Sequence, residues 1–160
     1  MMMHCLGLGG LPLAYDPSRE EALREEQPHN PNEYFYELEI PKALFMSLAE
    51  YKGKCLKALG ISALGRGAEP LKVIYMMRDP TSQFNSMKTA CGMIEGNYIG
   101  RSFRILSKLQ SSDEVESCLV LDYDSVLKNP IKSFSWLKAN GWPIDVEKSA
   151  SGVDPSRKHY

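Results

Sequence analysis

The sequence predicts an α/β domain, and three observations predict it. Residues 72–77 (KVIYMM) and 118–123 (CLVLDY) are short, almost continuous apolar runs bounded by turn signals. That is the pattern of strands covered on both faces of a parallel sheet. Helical patterns lie between the two runs and another follows the second, so the order is strand, helix, helix, strand, helix. A chain of 160 residues with no internal repeat and no low-complexity linker fits one domain with its own core.

Each element has a local reason. Residues 1–9 read as a helical turn or two, ended by Gly9-Gly10 and Pro12. The apolar opening MMMHCLGLGGLPLA lacks a positive n-region and is too short to span a bilayer, so it reads as a core helix, with His4 a satisfied core or rim histidine. Ser18 followed by Glu21 resembles a capping box, predicting an exposed helix over about 18–26 with a solvated acidic face. Residues 42–51 (KALFMSLAEY) carry helical spacing after Pro41. A short strand at 54–59 and a glycine-rich connection lead to Lys72. Beyond 72–77, Asp79 is a good N-cap and Pro80 suits the first helical position, so a helix runs to about Cys91. A second helix covers about 98–110. After 118–123 comes a turn, then a helix capped by Asn129, opened by Pro130 and stopped at Asn140-Gly141.

Composition narrows the function classes. Hydrophobic residues at 43% and charged residues at 24% exclude disordered, collagen-like and coiled-coil readings. A formal net charge of −1 gives no global basic field toward nucleic acid or an anionic membrane, so neither is an expected partner and any anion must be bound locally. Cys5, Cys55, Cys91 and Cys118 are scattered without a CxxC pair. They fit neither a zinc site nor a disulfide scaffold and read as reduced, mostly buried thiols of a cytoplasmic protein.

The stretch VIYMMRDPTSQFNSM (73–87) offers such a local site. In an open α/β sheet, ligands gather beyond the carboxyl ends of the strands, where helix N-termini also point. Arg78 stands where strand 72–77 ends. Its guanidinium can grip a phosphate in bidentate fashion beside the amides of the next helix. Ser86 lies seven residues past Asp79, about two helical turns, on the same helical face as the cap. Spacing alone leaves open that Arg78 pairs with a carboxylate and that Ser86 is an ordinary helix serine.

KVIYMMRDPTSQFNSM also resembles the sulfotransferase segment that binds the 3′-phosphate of 3′-phosphoadenosine 5′-phosphosulfate. In that family a strand ends in Arg-Asp-Pro or Arg-Asn-Pro, and a serine follows eight residues after the arginine, as Ser86 follows Arg78 here. The resemblance continues in order. GGLPLAYDPSR with NPNEYFYE is similar to the early region of bacterial-type sulfotransferases. LDYDSVLKNPIKSFSWLKANGWPID is similar to their late strand–helix segment, and SASGVDPSRKHY to their closing region.

The resemblance implies a P-loop-NTPase-like parallel sheet flanked by helices, here N-terminally truncated. It further implies sulfonate transfer to a hydroxyl or amine of a small-molecule or glycan acceptor, with 3′-phosphoadenosine 5′-phosphosulfate as co-substrate and no metal. Carried over, Arg78 and Ser86 hold the 3′-phosphate and Tyr123 lies near the adenosine end. Arg157 and Lys158 add charge to the phosphate, although no glycine follows Lys158.

Two departures qualify the match. No glycine-rich phosphate loop ending in Lys-Ser or similar occurs in the sequence, so the 5′-phosphosulfate half of the site is missing. Lys57 can be read as the family's lysine, but Leu59 stands where its general-base histidine is expected; Asp16, His29, Glu33 and Glu37 are substitute candidates. A non-catalytic module that binds a nucleotide or a partner is the alternative expectation.

Overall fold

The computed structural model describes residues 1–26, 36, 47–58, 61–67, 70–91 and 98–155, with backbone alone at 86–91 and 98–99. Helix α1 (Met2–Leu8) leads into strand β1 (Leu13–Ala14) and helix α2 (Pro17–Glu26). A 3₁₀ turn at Ala49–Tyr51 precedes strand β2 (Cys55–Leu56). Strand β3 (Leu71–Met77) is followed by helices α3 (Pro80–Cys91) and α4 (Tyr98–Gln110), then by strand β4 (Val115–Asp122). Helices α5 (Tyr123–Lys128), α6 (Pro130–Ala139) and α7 (Val146–Ser151) complete the described elements. The chain is α/β.

Strands β3 and β4 pair in parallel, in continuous register from Lys72↔Ser117 to Met77↔Asp122. A parallel pair needs a long crossover, and α3 and α4 supply it. Strands β1 and β2 form a second parallel pair, Leu13↔Cys55 and Ala14↔Leu56. The strand expected over 54–59 is thus two residues long, and its partner lies in the GGLPLA stretch, where the sequence pattern predicts no strand.

Alternation along the larger pair assigns its two faces. Ile74 and Met76 of β3, with Leu119 and Leu121 of β4, pack into the main core. On the opposite face the Tyr75 hydroxyl donates to the Ser102 carbonyl of α4 at 3.1 Å. Helices therefore lie on both faces, as the apolar runs predict. No residue of β3 is fully buried, however. Among the described residues this sheet has two strands, each paired along one edge with the other.

The core joins Cys5 and Leu6 of α1, Leu121, Val126 of α5, Phe134 and Leu137 of α6, Trp142, Ile144 and Ala150 of α7. Helix α6 turns Ser133, Phe134 and Leu137 inward at helical spacing. It stops at Gly141, whose φ of 85° suits glycine and lets the Trp142 N–H reach the Leu137 carbonyl at 3.2 Å.

Two caps differ from the sequence expectation. Helix α2 is capped by Asp16, not by Ser18: Asp16 Oδ1 accepts the Ser18 N–H at 3.0 Å and the Ser18 hydroxyl at 2.6 Å. Pro17 opens that helix, so the capping position falls on the residue before it. Asn129 makes no side-chain cap bond to α6. Its carbonyl accepts the Ser133 N–H at 3.1 Å, and Pro130 starts the helix without needing a donor partner. Of the helix expected over 42–51, residues 42–46 lie outside the described residues and the end is the 3₁₀ turn.

Helices α1 and α7 meet at Gly9, whose carbonyl accepts the Asp145 N–H at 2.9 Å. A Cβ on Gly9 would run into Ser149 Oγ and would sit 3.3 Å from Ile144 Cβ. The Ser149 hydroxyl is itself buried and has no hydrogen-bond partner among the described residues. Gly9→Ala should therefore cost about 1–3 kcal/mol of overpacking in urea unfolding. Ser149→Ala should raise stability by up to about 1 kcal/mol, since it removes a buried group that makes no bond. Combined, the two should cost less than their sum, because the serine is the nearest obstacle; strict additivity would show that the contact is not the cause.

Cys5, Cys55 and Cys118 are free thiols, and Cys91 lies where side chains are not described. Burial pushes the Cys5 and Cys55 thiols from 9.0 up to about 11. The unfolded chain then releases protons that the folded chain retains. Stability should hold below pH 9 and fall as the pH rises from 9 toward 11, a loss that Cys5→Ala/Cys55→Ala should reduce in pH-dependent unfolding.

Candidate functional site

The site forms where β3 and β4 end. Met77 and Asp122 are the last paired rung, so Arg78 and Tyr123 are the next neighbours across the two strands. Arg78 follows the core-facing Ile74 and Met76 of β3, and Tyr123, the first residue of α5, follows the core-facing Leu119 and Leu121 of β4. Their side chains meet. The Arg78 guanidinium lies over the Tyr123 ring, 4.9 Å from its centroid, within cation–π range. Arg78 Nε is buried.

The two helices that leave this corner are both fixed by aspartates. Asp79 Oδ2 accepts the Ser82 N–H at 2.8 Å, and Asp122 Oδ1 accepts the Ser125 N–H at 2.8 Å. These caps hold Arg78 and Tyr123 in place, and they also consume donors. Pro80 has no N–H, the Ser82 amide is taken by the cap, and the Gln83 amide bonds the Asp79 carbonyl at 2.9 Å. Thr81 is the remaining amide of that turn. The helix terminus therefore offers an anion less than the sequence pattern suggests, and the Asp79 charge opposes one. Arg78 carries most of any attraction.

Ser86 lies on α3, on the same helical face as Asp79 and about 10 Å further along the axis at 1.5 Å per residue. A phosphate touching both Arg78 and Ser86 must lie alongside the first two turns of α3 rather than over its tip. The Ser86 side chain, Arg157 and Lys158 lie outside the described residues. In charge and shape, Arg78 fits a phosphate monoester. With Nε buried, such a group would meet the terminal nitrogens of the guanidinium.

Of the candidate bases, Asp16 serves as the α2 cap, while His29, Glu33 and Glu37 lie outside the described residues, as does Leu59. Lys57 is exposed. A second polar group escapes sequence reasoning. Glu20, 5% exposed, accepts the Tyr36 N–H at 2.7 Å, and the Tyr36 hydroxyl lies 3.0 Å from His4 Nδ1. Tyr36 has φ of 52°, uncommon for a residue with a side chain, and these two contacts hold it there. The one available signal is that Glu20 shares a face with Leu23 on an otherwise charged helix. His4 is the satisfied rim histidine that its apolar neighbours predict.

Among the described residues, no group of three or more His, Cys, Asp or Glu gathers as a metal site, and no helix is long and apolar enough to cross a membrane. Fold and site together define an α/β protein with an arginine–tyrosine corner at the carboxyl end of a parallel strand pair. No protein-family model matches the chain, and searches of curated proteins and of solved structures find no match.

Proposed function

We propose that the protein is a sulfotransferase-like domain in which Arg78 and Ser86 hold the 3′-phosphate of 3′-phosphoadenosine 5′-phosphosulfate, with Tyr123 beside them. The observation that carries the reading is Arg78, held over a tyrosine ring at the mouth of a parallel strand pair, where α/β proteins gather anionic ligands. Arg157 and Lys158 are proposed to add charge to the same phosphate. When bound, the co-substrate supplies an activated sulfonate for a hydroxyl or amine of a small-molecule or glycan acceptor. The role of this chain's residues is to bind and orient the nucleotide, which is how much of the rate in such transfers arises.

A second reading, nucleotide binding without turnover, is favoured by the lack of a glycine-rich phosphate loop in the sequence and by Leu59 at the expected position of the base. Titration calorimetry with adenosine 3′,5′-bisphosphate against adenosine 5′-monophosphate tests both. The bisphosphate should bind at least about tenfold more tightly, as one added charge-assisted contact predicts. Equal affinity for the two nucleotides overturns the assignment. Sulfonate transfer from the labelled co-substrate then separates the readings, and its absence is the outcome expected of these 160 residues.

A further inference from the structure

We infer that Tyr123 is a positioning residue for Arg78, setting the plane of the guanidinium rather than contacting the nucleotide itself. The inference rests on the nucleotide-binding reading above and adds a role that the family resemblance does not supply, since that resemblance places Tyr123 near the adenosine.

Three observations carry it. The register brings the two residues side by side one step past the Met77↔Asp122 rung. The guanidinium carbon lies over the ring, 4.9 Å from its centroid and within cation–π range. Finally, Tyr123 is the first residue of α5, and the Asp122 cap fixes that turn through the Ser125 N–H.

An arginine side chain has several rotatable bonds, and a bidentate contact requires its planar fork to present one edge. A ring at cation–π distance restricts that freedom before the ligand arrives, so less ordering remains to oppose binding. Arg78 Nε is also buried, which limits the ways the guanidinium can turn. The tyrosine hydroxyl has no part in this role; the ring does.

The test is a double-mutant cycle read by calorimetry with adenosine 3′,5′-bisphosphate, together with NMR of the Arg78 Nε–Hε resonance in the full chain. Tyr123→Leu should weaken binding about tenfold, and Tyr123→Phe should stay within about threefold of the parent, as cation–π strengths imply. In an Arg78→Ala background, Tyr123→Leu should change affinity by less than about twofold. The Arg78 Hε resonance should be shifted upfield by the ring in the parent and in Tyr123→Phe, and should relax toward the random-coil position in Tyr123→Leu.

A tenfold loss that persists without Arg78 would mean that the ring acts on the nucleotide, and would overturn the inference. Equal damage from Phe and Leu would overturn it too, by pointing to the hydroxyl. Should Tyr123→Leu fail to fold, the parent and Tyr123→Phe spectra still decide: an unshifted Arg78 Hε in the parent refutes the stacking role. If the parent binds no bisphosphate, the nucleotide reading falls by itself, and the same resonance reports separately on whether the ring holds the guanidinium.

Discussion

Replacing Phe134 by alanine should lower the unfolding free energy by about 3–5 kcal/mol, at or near the largest effect of any single substitution among the described residues. Phe134 is fully buried and sits in a cluster drawn from α1, β4, α5, α6, α7 and the turn at Trp142–Ile144. Removing the ring forfeits its transfer free energy and leaves a cavity. Walls supplied by that many elements cannot all move inward together, so collapse is only partial. Stability of a domain this size is about 5–15 kcal/mol, so the loss is a large share of the whole. Urea unfolding should show a lower midpoint with an unchanged slope. Phe134→Leu, which keeps most of the volume, should cost markedly less. A loss under about 1 kcal/mol for the alanine variant, well below the range for a buried ring, would mean that the core is not centred on α6.

Arg78→Ala should weaken adenosine 3′,5′-bisphosphate binding by about 1.5–3 kcal/mol, roughly ten- to a hundredfold in Kd. The magnitude is that of a complete charge-assisted interaction, since Thr81 supplies the one backbone amide left in that turn. Arg78→Lys should recover part of the affinity, because a point charge remains while the planar fork is gone. The parent's affinity should also fall with added salt more steeply than that of the alanine variant, because the charge that salt screens has been removed there. Unchanged affinity in Arg78→Ala would remove the site assignment, whatever the fold.

The elements are legible where local rules act alone. The helix over 98–110 matches α4, and Pro130 and Gly141 bound α6 as their backbone chemistry requires. The run at 72–77 lies within strand β3 and that at 118–122 within β4, because apolar stretches of that length have few other options. Tyr123 and the turn expected after it instead form helix α5. The Ser18 box misleads because its pattern sits just past Pro17, and strand β1 escapes the pattern because two residues carry no periodicity. His4 is a satisfied group, as its apolar setting predicts, although its partner, Tyr36, is 32 residues away.

The candidate site is legible in half. That an arginine closes a strand before a capped helix is a statement about adjacent residues, and Arg78, Asp79 and Pro80 declare it in order. That Tyr123 lies against Arg78 is a statement about register, and register is set by how the strands pair through the intervening crossover. The cap has a cost at the site: the aspartate that makes a good cap also takes an amide an anion would use.

The sequence by itself determined the α/β order, the arginine at the strand mouth and the position of the main helices, because these follow from periodicity, capping and the fixed geometry of proline and glycine. Only the tertiary structure decided which strand neighbours which, that the guanidinium rests on a ring 45 positions along the chain (78 to 123), and that Glu20 and His4 converge on Tyr36. Those contacts join residues far apart in the chain. Packing and strand pairing select them from the many that the same local pattern would allow.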